Sequence, residues 1–304
     1  MVTSSVEIPA GLARRAAQGE AWATWLEALP GLAAALLEEW SLRVVGPSMH
    51  GFCSLVLPVE GRRGPLILKI AFPDEESEHE ALALRTWSGQ GAVALVAADP
   101  ARRALLLERL AHQDLGSIGD LAACEVVADL YGRLHVPAPA RLRTLSGYAG
   151  RWADQLAALP RTAPLPPRLV AQAVSLAREL AEDCDGVLIH TDLHYANVAP
   201  RQPGQEWVAI DPKPLSGDPH YELAPMLWNR FEELAGRVRE GVRSRFHTLV
   251  DMAGLDEDRA RDWVIVRMMT VALWRLQDPP TIVRLSDTDQ FLTMCVAVSK
   301  AVQD

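Results

Sequence analysis

Two short apolar runs, Gly186-Val187-Leu188-Ile189 and Glu206-Trp207-Val208-Ala209-Ile210, frame the polar octapeptide His190-Thr191-Asp192-Leu193-His194-Tyr195-Ala196-Asn197, and the second run delivers Asp211 at its end. Runs of this length bounded by turn residues read as strands, and Pro200-Arg201-Gln202-Pro203-Gly204-Gln205 between them is turn chemistry. The segment is expected to be a hairpin or a loop–strand pair that carries Asp192, Asn197 and Asp211 to one edge. Asp192 and Asn197 are five residues apart in an irregular loop, so they can face one way without sharing a helix face. Amide and carboxylate oxygens are hard ligands that suit Mg²⁺, which keeps several waters and takes only one or two carboxylates. A carboxylate left beside such a metal needs an orienting neighbour, and His190 is placed to be one.

Two other readings compete for the octapeptide. His190, Asp192 and His194 alternate as transition-metal ligands can. A metallohydrolase would want further ligands, and His50, His79, His112, His135, His220 and His247 make no metal-like cluster in the sequence. The segment could also be a polar loop capped by its own Asp and Asn, without chemistry.

With 304 residues, 49% hydrophobic and 23% charged, the chain can bury a substantial core in one large domain or two lobes. Its net charge of −9 argues against non-specific binding to nucleic acid or anionic membrane and is compatible with a cationic small substrate. Cys53, Cys124, Cys184 and Cys295 are far apart and form no CxxC pattern, so neither a zinc knuckle nor a redox pair is indicated. No apolar signal segment opens the chain and no run is long enough to span a bilayer, so a cytoplasmic protein is expected.

In chain order, residues 9–40 read as helical, with Pro30 suited to a first helical turn and Leu32, Leu36, Leu37 and Trp40 at helical spacing. The period then shifts towards two. Leu42–Val45, Phe52–Leu57 and Pro65–Ile70 read as strands of an antiparallel sheet, joined by the turns Gly46–Gly51 and Glu60–Gly64. Gly46 and Gly51 would let backbone amides approach phosphates. The turn is not a Walker A loop, since Phe52 stands where a lysine is needed.

Lys69 lies inside an apolar strand, where an ammonium is costly unless paired. Glu80, in the helix expected over 75–89, is the partner favoured over Glu76 and Glu78. Ala92–Val96 and Arg103–Leu110 would complete the sheet, with Asp99-Pro100 as the turn. Backbone groups over Leu107–Leu110, at Glu108 and Leu110, are then candidates to meet an adenine edge. After His112 the chain reads as mainly helical, including segments near 146–159 and 168–183 and most of the stretch beyond Glu222.

Lys69, Glu80, the loop His190–Asn197 and Asp211, in that order, resemble the aminoglycoside phosphotransferase family, over about residues 41–300. Ile210-Asp211-Pro212-Lys213-Pro214-Leu215, with Gly217-Asp218-Pro219 and Glu222-Leu223-Ala224-Pro225, is similar to the aminoglycoside/hydroxyurea antibiotic resistance kinase branch, which includes streptomycin 6-phosphotransferases. The resemblance implies an α+β, two-lobed protein-kinase-like fold. Residues 1–110 would supply N-terminal helices and a small antiparallel sheet lobe for the nucleotide. Residues 111–304 would supply a larger, mostly helical lobe with the catalytic loop and acceptor site.

The resemblance also implies ATP and Mg²⁺. Asp192 would be the base, Asn197 and Asp211 the magnesium ligands, Lys69 with Glu80 the grip on the phosphates, and Gly46–Gly51 the nucleotide loop. Asp218 would brace its loop. Pro212-Lys213 replaces the Phe-Gly of protein kinases, and the segment to the next helix is too short for an activation loop. That favours a constitutive small-molecule kinase. Streptomycin-like guanidinium sugars are the first acceptor class, with hydroxyurea, a sugar or an amino-alcohol as alternatives. Asp154, Glu222, Glu232 and Glu233 are candidate contacts for a cationic acceptor. A nucleotide-binding pseudokinase is the reading from a different class.

Overall fold

The computed structural model describes residues 6–277 and 285–303. The chain divides into two compact units, Met1–Ala111 with Arg201–Glu206, and His112–Pro200 with Trp207–Asp304.

The first unit begins with helices α1 (Ala10–Ala13) and α2 (Glu20–Glu39). Strands β1 (Arg43–Val44), β2 (Met49–His50), β3 (Ser54–Gly61) and β4 (Gly64–Ala71) follow, then helix α3 (Glu80–Trp87) and strands β5 (Leu95–Asp99) and β6 (Ala104–Glu108). The strands form one antiparallel sheet in the order β1-β3-β4-β6-β5, with β2 also paired to β3. Leu29, Ala33 and Leu36 recur on one face of α2 and are fully buried. They join Leu55, Leu57, Val59, Leu66, Leu68 and Ile70 of β3 and β4 in a single core.

Three expectations are corrected in this unit. Pro30 lies inside α2 and not in a first turn. A mid-helix proline removes one backbone hydrogen bond, and the helix continues through it because its buried face is held by the core. Met49 and His50, expected in a turn, pair with Val56 and Leu55 as β2. The Gly46-Pro47-Ser48 break thus splits one edge strand in two. Helix α3 starts at Glu80, later than the expected 75, with Ser77 N–H donating to Asp74 in the preceding turn.

The second unit contains α4 (Asp120–Leu134), β7 (Val136–Pro137), α5 (Leu145–Ala157), α6 (Pro167–Leu180), β8 (Val187–Ile189), β9 (Val198–Pro200), β10 (Trp207–Ala209) and β11 (Leu215–Gly217). Helices α7 (Ala224–Trp228), α8 (Val238–Ala253), α9 (Glu257–Gln277) and α10 (Leu285–Ala301) complete it. Thr144 Oγ1 accepts from Gly147 N and caps α5, and Asp256 Oδ1 accepts from Arg259 N at the start of α9. Trp152, Ala177, Ile189, Leu215, Tyr221, Trp263 and Val266 share the core that α5, α6, α9 and β8 enclose.

The two apolar runs flanking the octapeptide are not partners. Strand β8 pairs with β11 and β7, whereas β10 pairs with β9, whose Pro200 is expected in the turn. The octapeptide therefore leaves one sheet and enters another. Among the described residues, no helix is long and apolar enough to cross a membrane.

Candidate active site

In the sheet unit, Lys69 on β4 sits in register between Val56 and Leu105. Its Nζ donates to Glu80 Oε1 at 2.6 Å, and the two residues are 7% and 3% exposed. Neither charge tolerates that burial alone, so the first turn of α3 and the middle of β4 are fixed to one another. Gly46 backs onto Pro58, whose Cγ would lie 3.3 Å from an added Cβ. Gly51 N donates to Ser54 O at 3.0 Å, and a Cβ there would come within 2.7 Å of Ser54 Oγ. Phe52, at the tip of this β2–β3 turn, is 72% exposed and carries the Arg15 guanidinium over its ring.

Glu108 ends β6. Its N–H donates to Ala94 O at 3.0 Å, and its carboxylate accepts from Ala94 N at 2.7 Å and from the Arg201 guanidinium. Arg201 also donates to Gly89 O at 2.7 Å. Both the N–H and the side chain of Glu108 are thus committed to the sheet. Leu110 follows in half-buried coil.

In the helical unit, His190 follows β8 and is fully buried. Its Nδ1 accepts from Asp192 N at 3.3 Å, so Nε2 carries the proton and donates to Ile210 O at 3.0 Å. Burial holds the imidazole below its ordinary pKa of 6.5, outweighing the upward pull of Glu222 and Asp192, and the ring is neutral. One side chain thereby fixes both the backbone of Asp192 and the residue before Asp211.

Thr191 and Asp211 both adopt left-handed backbone, at φ 64° and 57°. This is costly for a β-branched threonine and is characteristic of functional sites. Thr191 is clamped from three directions. Its N–H donates to Glu222 Oε1 at 2.6 Å, its Oγ1 donates to Lys213 O at 2.7 Å, and its carbonyl accepts from Arg267 at 3.3 Å. Glu222 is fully buried, with Oε2 2.6 Å from His135 Nε2 and its carbonyl accepting from Tyr131 OH at 2.9 Å.

Asp192 is half-buried, and its two carboxylate oxygens differ. Oδ2 accepts from Lys213 Nζ and, more weakly, from Asn197 Nδ2 at 3.4 Å. Oδ1 accepts no hydrogen bond among the described residues; His194 Nε2 stands 4.0 Å from it. Burial holds His194 below its ordinary pKa, against the pull of Asp192. Asn197 closes the one-turn helix Tyr195–Asn197, and its Nδ2 donates to Asp192 O at 2.8 Å. That assigns the amide's donor end and leaves Oδ1 of Asn197 without a hydrogen bond among the described residues. Asn197 O accepts from Ile210 N at 2.9 Å, so β9 and β10 bring Asn197 alongside the strand that ends at Asp211.

Asp218 is buried and accepts from Trp263 Nε1 at 2.8 Å, Arg259 Nε at 2.5 Å and both the ring and backbone of His220. Burial raises its pKa, but these donors outweigh burial and bring it down to about 2. It braces the segment after β11 against α9.

Two residues at the loop have a structural place that the sequence does not assign: Lys213, noted only as part of the replacement for Phe-Gly, and Glu222. Glu222, expected as an acceptor contact, is corrected to an internal clamp, since it is fully buried and its carboxylate is spent on Thr191 and His135. The signal for both was position: a lysine between two prolines directly after Asp211, and a glutamate in an otherwise apolar segment. Asp154 and Glu233 face outward in ion pairs with Arg178 and Arg230, and Glu232 is exposed. A transition-metal site is not formed: both ring nitrogens of His190 are occupied, and no group of three His, Cys, Asp or Glu residues is arranged as ligands among the described residues.

Solved structures with this architecture include choline kinase LicA from Streptococcus pneumoniae, which matches with a TM-score of 0.58 at 14% identity over 90% of this chain and 99% of that one. Aminoglycoside phosphotransferase APH(4)-Ia, solved with ADP and hygromycin B, matches with a TM-score of 0.58 at 17% identity over 88% and 97%. The fold is that of the protein-kinase-like phosphotransferases.

A family model described as aminoglycoside/hydroxyurea antibiotic resistance kinase matches residues 39–279. The chain is 41% identical to a streptomycin 6-kinase of Streptomyces glaucescens over 90% of its length and 92% of the relative. It is 42% identical to a hydroxyurea phosphotransferase of Kitasatospora aureofaciens over 91% and 82%. The protein belongs to the aminoglycoside/hydroxyurea antibiotic resistance kinase family.

Proposed function

We propose that the protein transfers the γ-phosphoryl group of Mg·ATP to a hydroxyl of a small antibiotic, with streptomycin-like guanidinium sugars the first acceptor class and hydroxyurea the second. The observation that carries this reading is the loop Asp192–Asn197 tied through His190 and Ile210 to Asp211. Asn197 Oδ1 and the Asp211 carboxylate are a donor set of the kind Mg²⁺ takes, hard oxygens with few carboxylates. When bound, the metal neutralises charge on the phosphates.

In the transfer, Asp192 Oδ1 accepts the acceptor's hydroxyl proton as that oxygen bonds to the γ-phosphorus. The bridging P–O bond breaks, and its electron pair leaves with ADP. Phosphoryl transfer has a loose transition state, so positioning and charge complementarity matter more than the strength of the base. Lys69, held by Glu80, takes the nucleotide phosphates. Main-chain groups at Glu108 and Leu110 meet the adenine, and the Gly46–Gly51 segment covers the phosphates.

A coupled ADP-release screen across aminoglycosides, hydroxyurea, small sugars and amino-alcohols tests the proposal. Wild-type protein is expected to turn over at least one guanidinium aminoglycoside or hydroxyurea in a magnesium-dependent manner. Asp192→Asn should reduce kcat by about 10²–10⁴-fold with nucleotide affinity retained. Turnover confined to sugars or amino-alcohols would replace the acceptor class. Nucleotide binding without turnover of any acceptor would indicate a pseudokinase.

A further inference from the structure

Lys213 belongs to none of the roles just assigned, yet its placement is fixed at several points. Its N–H donates to His190 O at 3.0 Å, and its carbonyl accepts from Thr191 Oγ1 at 2.7 Å. Pro212 and Pro214 restrict the backbone on either side. The main chain of Lys213 is therefore bonded to the two residues immediately before Asp192, and its ammonium pairs with Asp192 Oδ2.

This pair is not explained by stability. Its side chains are 30% and 17% exposed, and ion pairs with that access to solvent contribute little to folding. What it does is divide the Asp192 carboxylate. Oδ2 is occupied by a cation and by Asn197, while Oδ1 accepts no hydrogen bond among the described residues. A lone aspartate rotates about its side-chain bonds and exchanges its two oxygens. Tethering one of them selects the other.

We propose that Lys213 is the positioning residue for Asp192. It holds Oδ2 so that Oδ1 is presented to the acceptor hydroxyl. The inference rests on the phosphoryl-transfer reading above. During transfer the acceptor O–H bond breaks, with the proton passing to Oδ1 and the electron pair to the new O–P bond, while Lys213 retains its own protons throughout. Orientation of this kind governs kcat rather than ground-state affinity.

The test is a double-mutant cycle of Lys213→Met and Asp192→Asn in the full chain, using the acceptor that the wild type turns over best. Calorimetric affinity for Mg·AMP-PNP and thermal unfolding are read beside the kinetics. Lys213→Met is expected to lower kcat by about 10²-fold, with acceptor KM and nucleotide affinity each within about threefold of wild type. In the Asp192→Asn background the same change should cost less than about threefold, because the lysine acts through the aspartate. Lys213→Arg should recover more activity than Lys213→Gln, and this pair carries the test if the methionine variant does not fold.

A kcat within threefold of wild type in Lys213→Met would overturn the proposal. So would an equal loss in both backgrounds, or a loss confined to nucleotide affinity. An inactive wild type would instead remove the phosphoryl-transfer reading beneath it.

Discussion

Each unit of the molecule carries a lysine–carboxylate pair, and the two are built on opposite terms. Lys69 and Glu80 have side chains 9% and 4% exposed, one on a central strand and one in the first turn of a helix. Lys213 and Asp192 are 30% and 17% exposed and belong to irregular chain. Burial makes the first pair costly to break, because removing either member takes a close opposite charge away from the other in a low-dielectric interior. Solvent makes the second pair nearly neutral for folding, so its worth lies in where it points the carboxylate. A buried pair fixes an element; a half-exposed pair set by backbone bonds fixes an orientation.

The largest expected separation comes from deleting the two lysines. Lys69→Met should lower stability by about 3–5 kcal/mol by removing the buried cation paired with Glu80, as measured by urea unfolding. Lys213→Met should change it by less than about 1 kcal/mol. Similar losses in the two variants would erase the distinction. Next in size, Glu222→Gln weakens the clamp on Thr191 and the contact to His135, and should cost about 1–3 kcal/mol together with a fall in kcat. A loss of stability at unchanged kcat would separate Glu222 from the catalytic loop.

Smaller still is the effect of acid. Burial holds His190 and His194 below their ordinary value of 6.5, so the unfolded chain binds protons at these positions before the folded one does. Their contribution to stability is complete above that value and is lost as the pH falls through it towards the folded values. The melting temperature should therefore drop between about pH 7 and 5, and His190→Asn should flatten that slope. An unchanged slope in the variant would place the protonation elsewhere. Salt is the weakest lever: of the two pairs compared, Lys213–Asp192 is the one open to screening, so raising salt from about 0.05 to 0.5 M should lower kcat slightly in the coupled assay.

How much of this was legible in the sequence follows the same division. Lys69 announced its need by standing in an apolar strand, and a short helix supplied Glu80 within reach. The polar octapeptide and Asp211 were visible as a group because their residue types are rare between apolar runs. Strand pairing was not legible there. The runs at 187–189 and 207–209 look like partners, yet each is too short to specify a register, and β11 and β9 take those places. Lys213 and Glu222 were opaque for a related reason. Their partners, Asp192 and Thr191, lie 21 and 31 residues away, and the contacts depend on left-handed turns at residues whose side chains do not favour them. Pro30 shows the reverse, a local signal overridden by a buried helix face.

The backbone at Thr191 carries a consequence for anyone seeking a hardier version of this protein. A glycine there would relax the left-handed turn and, taken alone, should raise heat tolerance. It would also delete the hydroxyl that holds the Lys213 carbonyl at 2.7 Å. Ruggedness and turnover are thus set against each other at a single position, and a selection that rewards survival on heating alone should drift towards folded, sluggish molecules.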